Sequence, residues 1–224
     1  MHSNDTDTAI YEEKEGGKSF LSTLITLLQI IAIALIINAA IKAFLLRPYT
    51  VISGSMEPTL MVNDKVFAEV VTGYFSKPQR DDIVVFVFPG KDPNKPIIRQ
   101  TTGDYLGTIF NSFIQFKWPD NGEVEYVKRV IGTPGDVIDI RNGKVYVNGS
   151  QLDESSYIPS NVRTESLGSI NFPYTVPDKS YFVLGDNREN SFDSRYWGPV
   201  PEKNIIGKPV MLYFPFDHFR FFKG

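Results

Sequence analysis

No cysteine occurs among the 224 residues, which excludes disulfides, thiolate catalysis and cysteine-bound metal together. Histidine is nearly as scarce. His2 lies in the polar amino-terminal tail and His218 in FPFDHFRFF near the other end. A zinc site or a serine–histidine dyad would have to use one of them, and His218 reads as a surface or partly packed residue. Chemistry in this chain must run largely without imidazole. An excess of one charge is also missing, with 23 basic against 26 acidic residues and a formal net charge of -3. No broad electrostatic field therefore points to nucleic acid as a partner.

What is present is one long apolar run. From Phe20 to Ile41 no residue is charged, and only Ser22, Thr23, Thr26, Gln29 and Asn38 are polar. At about 1.5 Å per helical residue the run covers the roughly 30 Å hydrocarbon core of a bilayer. A buried soluble helix would show a polar stripe, and none appears. A cleavable leader would be shorter, and here the apolar run continues past Asn38-Ala39-Ala40 to Leu46, so a retained anchor over 20–46 is expected. Basic residues flank it equally, Lys14 and Lys18 before and Lys42 and Arg47 after, so charge alone does not orient it.

Beyond the anchor the pattern is β. Lys65–Val71 alternates apolar and polar residues, and Asp82–Phe88 (DIVVFVF) suits a buried strand. Val124–Ile131, Val137–Ile140, Lys144–Val147, Tyr181–Leu184 and Ile205–Tyr213 follow, with Asn142-Gly143 marking a tight hairpin. The expected class is mainly β, a twisted and mostly antiparallel sheet after one membrane helix. Segments 90–121 and 153–178 read as insertions, the second a Ser-, Asn-, Pro- and Gly-rich loop or small flap.

Three segments carry candidate chemistry. In VISGSMEPTL (Val51–Leu60), Ser55 is either turn chemistry or a nucleophile held at a bend, and the second reading needs a base. In EVEYVKRVI (Glu123–Ile131), strand alternation puts Tyr126, Lys128 and Val130 on one face and Val127, Arg129 and Ile131 on the other. A lysine with apolar neighbours loses pKa by desolvation and can then take a hydroxyl proton, although a strand lysine reaching solvent is the commoner case. YFVLGDNRENSFDSRYWGPV (Tyr181–Val200) runs from a strand into a dense polar loop that Tyr196-Trp197 pins to a core. A packed, charge-rich loop suits the orientation of working residues.

Together these segments resemble the type I signal peptidases of bacteria, thylakoids and mitochondria, which are membrane-anchored serine–lysine proteases. SGSMEPTL looks like the family's nucleophile box, RDDIVVF (Arg80–Phe86) like its strand box, YVKRVIGTPGD (Tyr126–Asp136) like its lysine box and GDNRENSFDSRYWG (Gly185–Gly198) like its last box, all in family order. The resemblance implies Ser55 as nucleophile, Lys128 as general base, Ser53 as an oxyanion hydroxyl and Ser191 as the residue that hydrogen-bonds and positions the lysine. It implies support roles for Arg129, Asp186, Asp193 and Arg195, and neither cofactor nor metal. Ile52 stands where many members have proline.

The same resemblance implies that signal peptides of exported preproteins are cut after the second residue of a small-x-small pattern. Shallow apolar pockets would be lined by Tyr49, Val51, Ile52, Met56, Leu60, Tyr126 and Val127. The implied organisation is a cytoplasmic tail (1–19), an anchor (20–46) in the cell (inner) membrane, and an extracytoplasmic peptidase domain (47–224), with lipid and the export machinery as neighbours. About nine residues, at most roughly 30 Å of extended chain, separate Leu46 from Ser55. A self-cleaving serine–lysine regulator of the SOS-repressor type would carry a DNA-binding module where the membrane helix stands. A catalytically silent membrane-anchored β module would be expected to lack Ser55 or Lys128, and both are present.

Overall fold

The structure, a computed structural model, describes residues 20–37, 46–69, 77–91 and 124–222. The tail at 1–19 and residues 92–121 of the first expected insertion lie outside the described residues. The chain divides into two units, Met1–Ala43 and Phe44–Gly224.

In the first unit, helix α1 spans Phe20–Ile37 and is long and apolar enough to cross a membrane. Leu21, Leu24, Ile25 and Leu28 are all exposed, without the polar face of a surface helix. Residues 38–45 of the expected anchor are outside the described residues. Leu46, assigned to the anchor because its apolar run is unbroken, instead opens strand β1 (Leu46–Thr50) of the second unit.

The second unit is built on two antiparallel sheets. Its strands are β1, β2 (Lys65–Glu69), β3 (Ile83–Val87), β4 (Glu125–Gly132), β5 (Val137–Arg141), β6 (Lys144–Val147), β7 (Ser150–Gln151), β8 (Tyr174–Thr175), β9 (Ser180–Leu184), β10 (Val200–Pro201), β11 (Ile205–Phe214) and β12 (Arg220–Phe221). The larger sheet has the order β1-β2-β11-β3-β4-β9-β10, with β12 against β11. β11 pairs with β3 through Ile205–Gly207 and with β2 through Lys208–Phe214, with register shifts in both pairings. Extra residues of this kind bend a strand and raise its twist, so β11 curls the sheet.

The two faces of β3 and β4 bury different cores. Val84 and Phe86 of β3 and Val130 of β4 pack with Tyr181, Val183 and Trp197, and Tyr126 rests against them. On the opposite face Val85 and Val87 meet Ala68 and Ile206, with Val127 and Tyr49 alongside. Each such Phe or Val side chain contributes roughly 1.5–3 kcal/mol by leaving water. Face alternation along β4 is therefore as the sequence pattern predicts.

The smaller sheet, β7-β6-β5-β8, includes the Asn142-Gly143 hairpin. Both turn residues have positive φ, 55° and 76°, which Asn and Gly tolerate and which matches the strand twist. Segment 153–178, expected as a loop or flap, holds only β8 as a strand, but it is not loose. Glu154 and Thr164 accept hydrogen bonds from the buried Arg188 at 2.6 and 2.7 Å.

Candidate active site

β1 and β2 form a hairpin whose connection, residues 51–64, carries Ser55. The connection is closed at its base, where Val51 donates to the Asp64 carbonyl and Asn63 to the Val51 carbonyl, both at 2.8 Å. Ser53 is extended, and Gly54–Met56 then make a single 3-10 turn. Met56 and Leu60 hold this turn down, since both side chains are fully buried with Val51, Val66 and Leu212. The bend at Ser55 is thus fixed by apolar anchors on either side of it.

Lys128 comes from the middle of β4. Its side chain is 3% exposed, with Nζ 2.7 Å from Ser55 Oγ and 3.0 Å from the Val127 carbonyl. Nζ also lies 5.4 Å from the centre of the Tyr126 ring, its neighbour on the same face. Burial lowers the Lys128 pKa to about 8, against the opposing pull of the Asp193 and Asp186 carboxylates. Desolvation outweighs both charges because neither carboxylate is hydrogen-bonded to the amine. Ser53 Oγ sits 3.3 Å from Ser55 Oγ, so the two hydroxyls face the same space.

The polar loop after β9 forms the other wall. Asp193 caps the short helix α2 (Ser194–Trp197) and accepts from Arg195 Nε at 2.8 Å and Nη2 at 2.9 Å. Asp193 also takes the Gly185 backbone N–H, so this ion pair closes the loop upon itself. Asp186 accepts from Arg129 Nε and Nη2 at 2.8 and 2.6 Å and from the Thr59 hydroxyl. That second pair joins the loop to β4 and to the segment just after Ser55. Asn187 completes the link, donating its backbone N–H to the Ser55 carbonyl and Nδ2 to the Gly54 carbonyl.

Ser191 differs from expectation. Its hydroxyl is buried but has no hydrogen-bond partner among the described residues, so the expected bond to Lys128 is not formed. Ser191 Oγ packs instead against Gly185, where there is no room for a side chain. His218 lies away from this chemistry in the pairing it makes, with Nδ1 3.0 Å from Asp64 Oδ1.

A groove of about 470 Å³ opens at Ser55 and Lys128 and runs between β1 and the first half of β4. Tyr49, Val51, Ile52, Leu60, Tyr126 and Val127 line it as expected. Met56 does not, because its side chain is spent in the core under the turn. Val66, Val85, Glu125, Asn190 and Phe192 line it without having been foreseen. Asn187, Asn190 and Thr59 had no signal of their own, since polar residues in a loop read first as turn formers.

A serine hydroxyl against a buried, partly neutral amine at the end of an apolar groove has the makings of acyl transfer to serine. The family model described as signal peptidase, peptidase S26, matches residues 24–214. The chain belongs to this family of serine endopeptidases. It is 34% identical to signal peptidase I of Leptolyngbya laminosa, over 87% of this chain and 81% of that one. It is 33% identical to signal peptidase I S of Bacillus subtilis, over 85% and 89%. The crystal structure of a signal peptidase I from Enterococcus faecalis is 28% identical and covers 59% of this chain and 97% of its own, with a TM-score of 0.39. Enzymes of this family are membrane-anchored and act on the signal peptides of preproteins.

Proposed function

We propose that Ser55 and Lys128 form the catalytic dyad with which this chain removes signal peptides, cutting after the second residue of a small-x-small motif. The observation that carries the reading is the 2.7 Å approach of Lys128 Nζ to Ser55 Oγ, with the amine buried and its pKa lowered to about 8. Neutral Lys128 takes the Ser55 proton as Oγ attacks the scissile carbonyl. The Ser55 backbone N–H and the Ser53 hydroxyl donate to the oxyanion. As the tetrahedral intermediate collapses, the Lys128 ammonium returns the proton to the leaving amine and the signal peptide stays as an ester on Ser55. Water, deprotonated by Lys128, then hydrolyses the ester.

The groove supports the small-x-small preference by its lining. Val127 and Tyr49 rest on the core beneath it and line it with apolar side chains, which suits small apolar residues of a substrate. Arg129, Asp186, Asp193 and Arg195 touch no part of this groove and keep the last box folded against the serine turn.

The anchor, proposed for Phe20–Leu46 and now ending before β1, fixes the enzyme in the cell (inner) membrane. Cleavage follows translocation, so 47–224 works on the extracytoplasmic side, close to the export machinery and with 1–19 in the cytoplasm. Phe214, Phe216, Phe219 and Phe221 are exposed together near the carboxyl end, a composition suited to the lipid interface.

The test is to incubate detergent-solubilised full-length protein with a preprotein and to sequence the new amino terminus. Wild type should expose the residue that follows a small-x-small motif, while Ser55→Ala and Lys128→Ala should leave the preprotein intact. Processing by either variant at the wild-type rate would reject the dyad.

A further inference from the structure

The alternating faces of β4 divide the groove in two, and the second half has its own lining. β4 pairs with β9 only from Arg129 onward, so, among the described residues, 125–128 leave one backbone edge unpaired beside the groove. A substrate segment laid in the groove is extended, and its successive side chains then point to opposite faces. The apolar lining runs from Ser55 toward Tyr49 and Val124, and a substrate laid with its acyl side along that direction would use this lining. In that path residues one and three before the cut would face Val127 and Val85, which line the groove. The residue between them faces the other way, on the side of Tyr126 and Lys128.

That other side is aromatic. Phe192, from the last box, lines the groove while packing 6.2 Å from the Phe88 ring and 5.3 Å from Tyr196. Phe88 in turn lies 4.9 Å from Tyr126, so Tyr126, Phe88 and Phe192 form one continuous patch. Register places this patch beside the first half of β4. Phe86 pairs with Tyr126, and Phe88 donates to the Val124 carbonyl, which puts Phe192 upstream of Lys128 along β4. Phe192 is 41% exposed and Ile52, across the groove, is 87% exposed. Among the described residues both present apolar surface on the groove side.

Resting on the signal-peptidase reading above, we propose that Phe192, with Tyr126 and Ile52, selects the middle residue of the small-x-small motif and favours a flat apolar or aromatic side chain there. Phe192 is a specificity residue. It holds no reacting atom and donates to none.

The experiment uses the full-length protein in detergent and signal-peptide substrates with alanine at the first and third positions before the cut. The middle residue is varied through Phe, Leu, Gly and Asp, and kcat/KM is measured for each. Because the patch is half open to solvent, wild type should prefer Phe over Gly by about tenfold rather than more. Phe192→Ala should reduce that ratio to about twofold, and Phe192→Leu should keep much of it. The rejection of bulky residues at the first and third positions should stay as in wild type. A uniform loss on every peptide in Phe192→Ala, or an unchanged Phe-to-Gly ratio, would overturn the proposal. So would a change confined to a parallel series varied at the residue after the cut. Failure of wild type to cut any of these peptides would instead reject the underlying signal-peptidase reading.

Discussion

Asn187 donates its backbone N–H to the Ser55 carbonyl at 3.1 Å and its side-chain amide to the neighbouring Gly54 carbonyl at 3.0 Å. The turn that presents the proposed nucleophile is therefore held from the far end of the sequence. Lys128 reaches the same turn from β4, and Asp186 ties both to the loop through Arg129 and Thr59. Three segments distant in sequence must fold together before the hydroxyl and the amine meet.

The lowered pKa of Lys128 fixes a pH profile. Only the neutral amine can accept the Ser55 proton, so kcat/KM should rise tenfold per pH unit in acid and level off near pH 8. Lys128→Arg should be inactive at every pH, since a guanidinium stays protonated in proteins. Rates measured from pH 5 to 10 on one synthetic signal peptide decide the matter. A profile that is flat from pH 5 upward would exclude Lys128 as the base.

The same shift has a consequence for stability. The folded pKa of Lys128 is near 8 and the unfolded one near 10.5. Between these values the unfolded chain binds the extra proton, so wild-type stability should gain with rising pH through that window. Below pH 8 the ammonium is charged in both states and its burial costs the native state most. Lys128→Met, similar in volume and uncharged, should therefore be more stable than wild type at pH 7, by up to about 3 kcal/mol. That advantage should shrink as pH approaches 10. Urea unfolding of both proteins at pH 7 and pH 10 measures it.

How much of this could be read in the sequence depends on the range of the interaction. Lys128 facing Tyr126 follows from alternation, and the β5–β6 hairpin from Asn142-Gly143, because both are properties of neighbouring residues. β1 was hidden, since Phe44-Leu45-Leu46 continues the hydropathy of the anchor and nothing local announces its pairing with β2. Met56 was misjudged as a pocket residue because adjacency to Ser55 says nothing about which way a one-turn helix points its side chains. Phe192 and Asn187 gain their positions only when the last box folds against β4 and the serine turn. Hydropathy could not see those contacts.

The two serines of the last box should part company. Ser194 Oγ accepts the Val183 backbone N–H at 3.0 Å inside the core, so Ser194→Ala strands a buried donor. It should cost about 1–3 kcal/mol of stability and leave kcat of the folded fraction near normal. Ser191→Ala loses no hydrogen bond among the described residues and should change stability by less than about 1 kcal/mol. If the Ser191 hydroxyl engages Lys128 once substrate is bound, kcat should nevertheless fall roughly ten- to a hundredfold with little change in KM. Full activity in Ser191→Ala would show that its buried hydroxyl serves packing alone.

Gly185 should tolerate no side chain at all. A methyl group there would overlap Ser191 Oγ and, more seriously, the Ser55 carbonyl oxygen. A hydroxyl can rotate away, but a backbone carbonyl already bonded to Asn187 cannot move without dragging the serine turn. Gly185→Ala should therefore lengthen the contact between Ser55 and Lys128 and lower kcat by about a hundredfold or more, the usual result of displacing a reacting group by some 1 Å. Gly149→Ala provides the contrast. Its φ of 82° is unfavourable for alanine, yet no atom of the described residues lies near enough to clash. It should cost about 1–2 kcal/mol of stability and leave kcat unchanged. Urea midpoints and kcat measured on both variants distinguish strain from misplacement. If Gly185→Ala lost stability but kept wild-type kcat, the serine turn would not be held by the end of β9, and the assembly argued from Asn187 would be wrong.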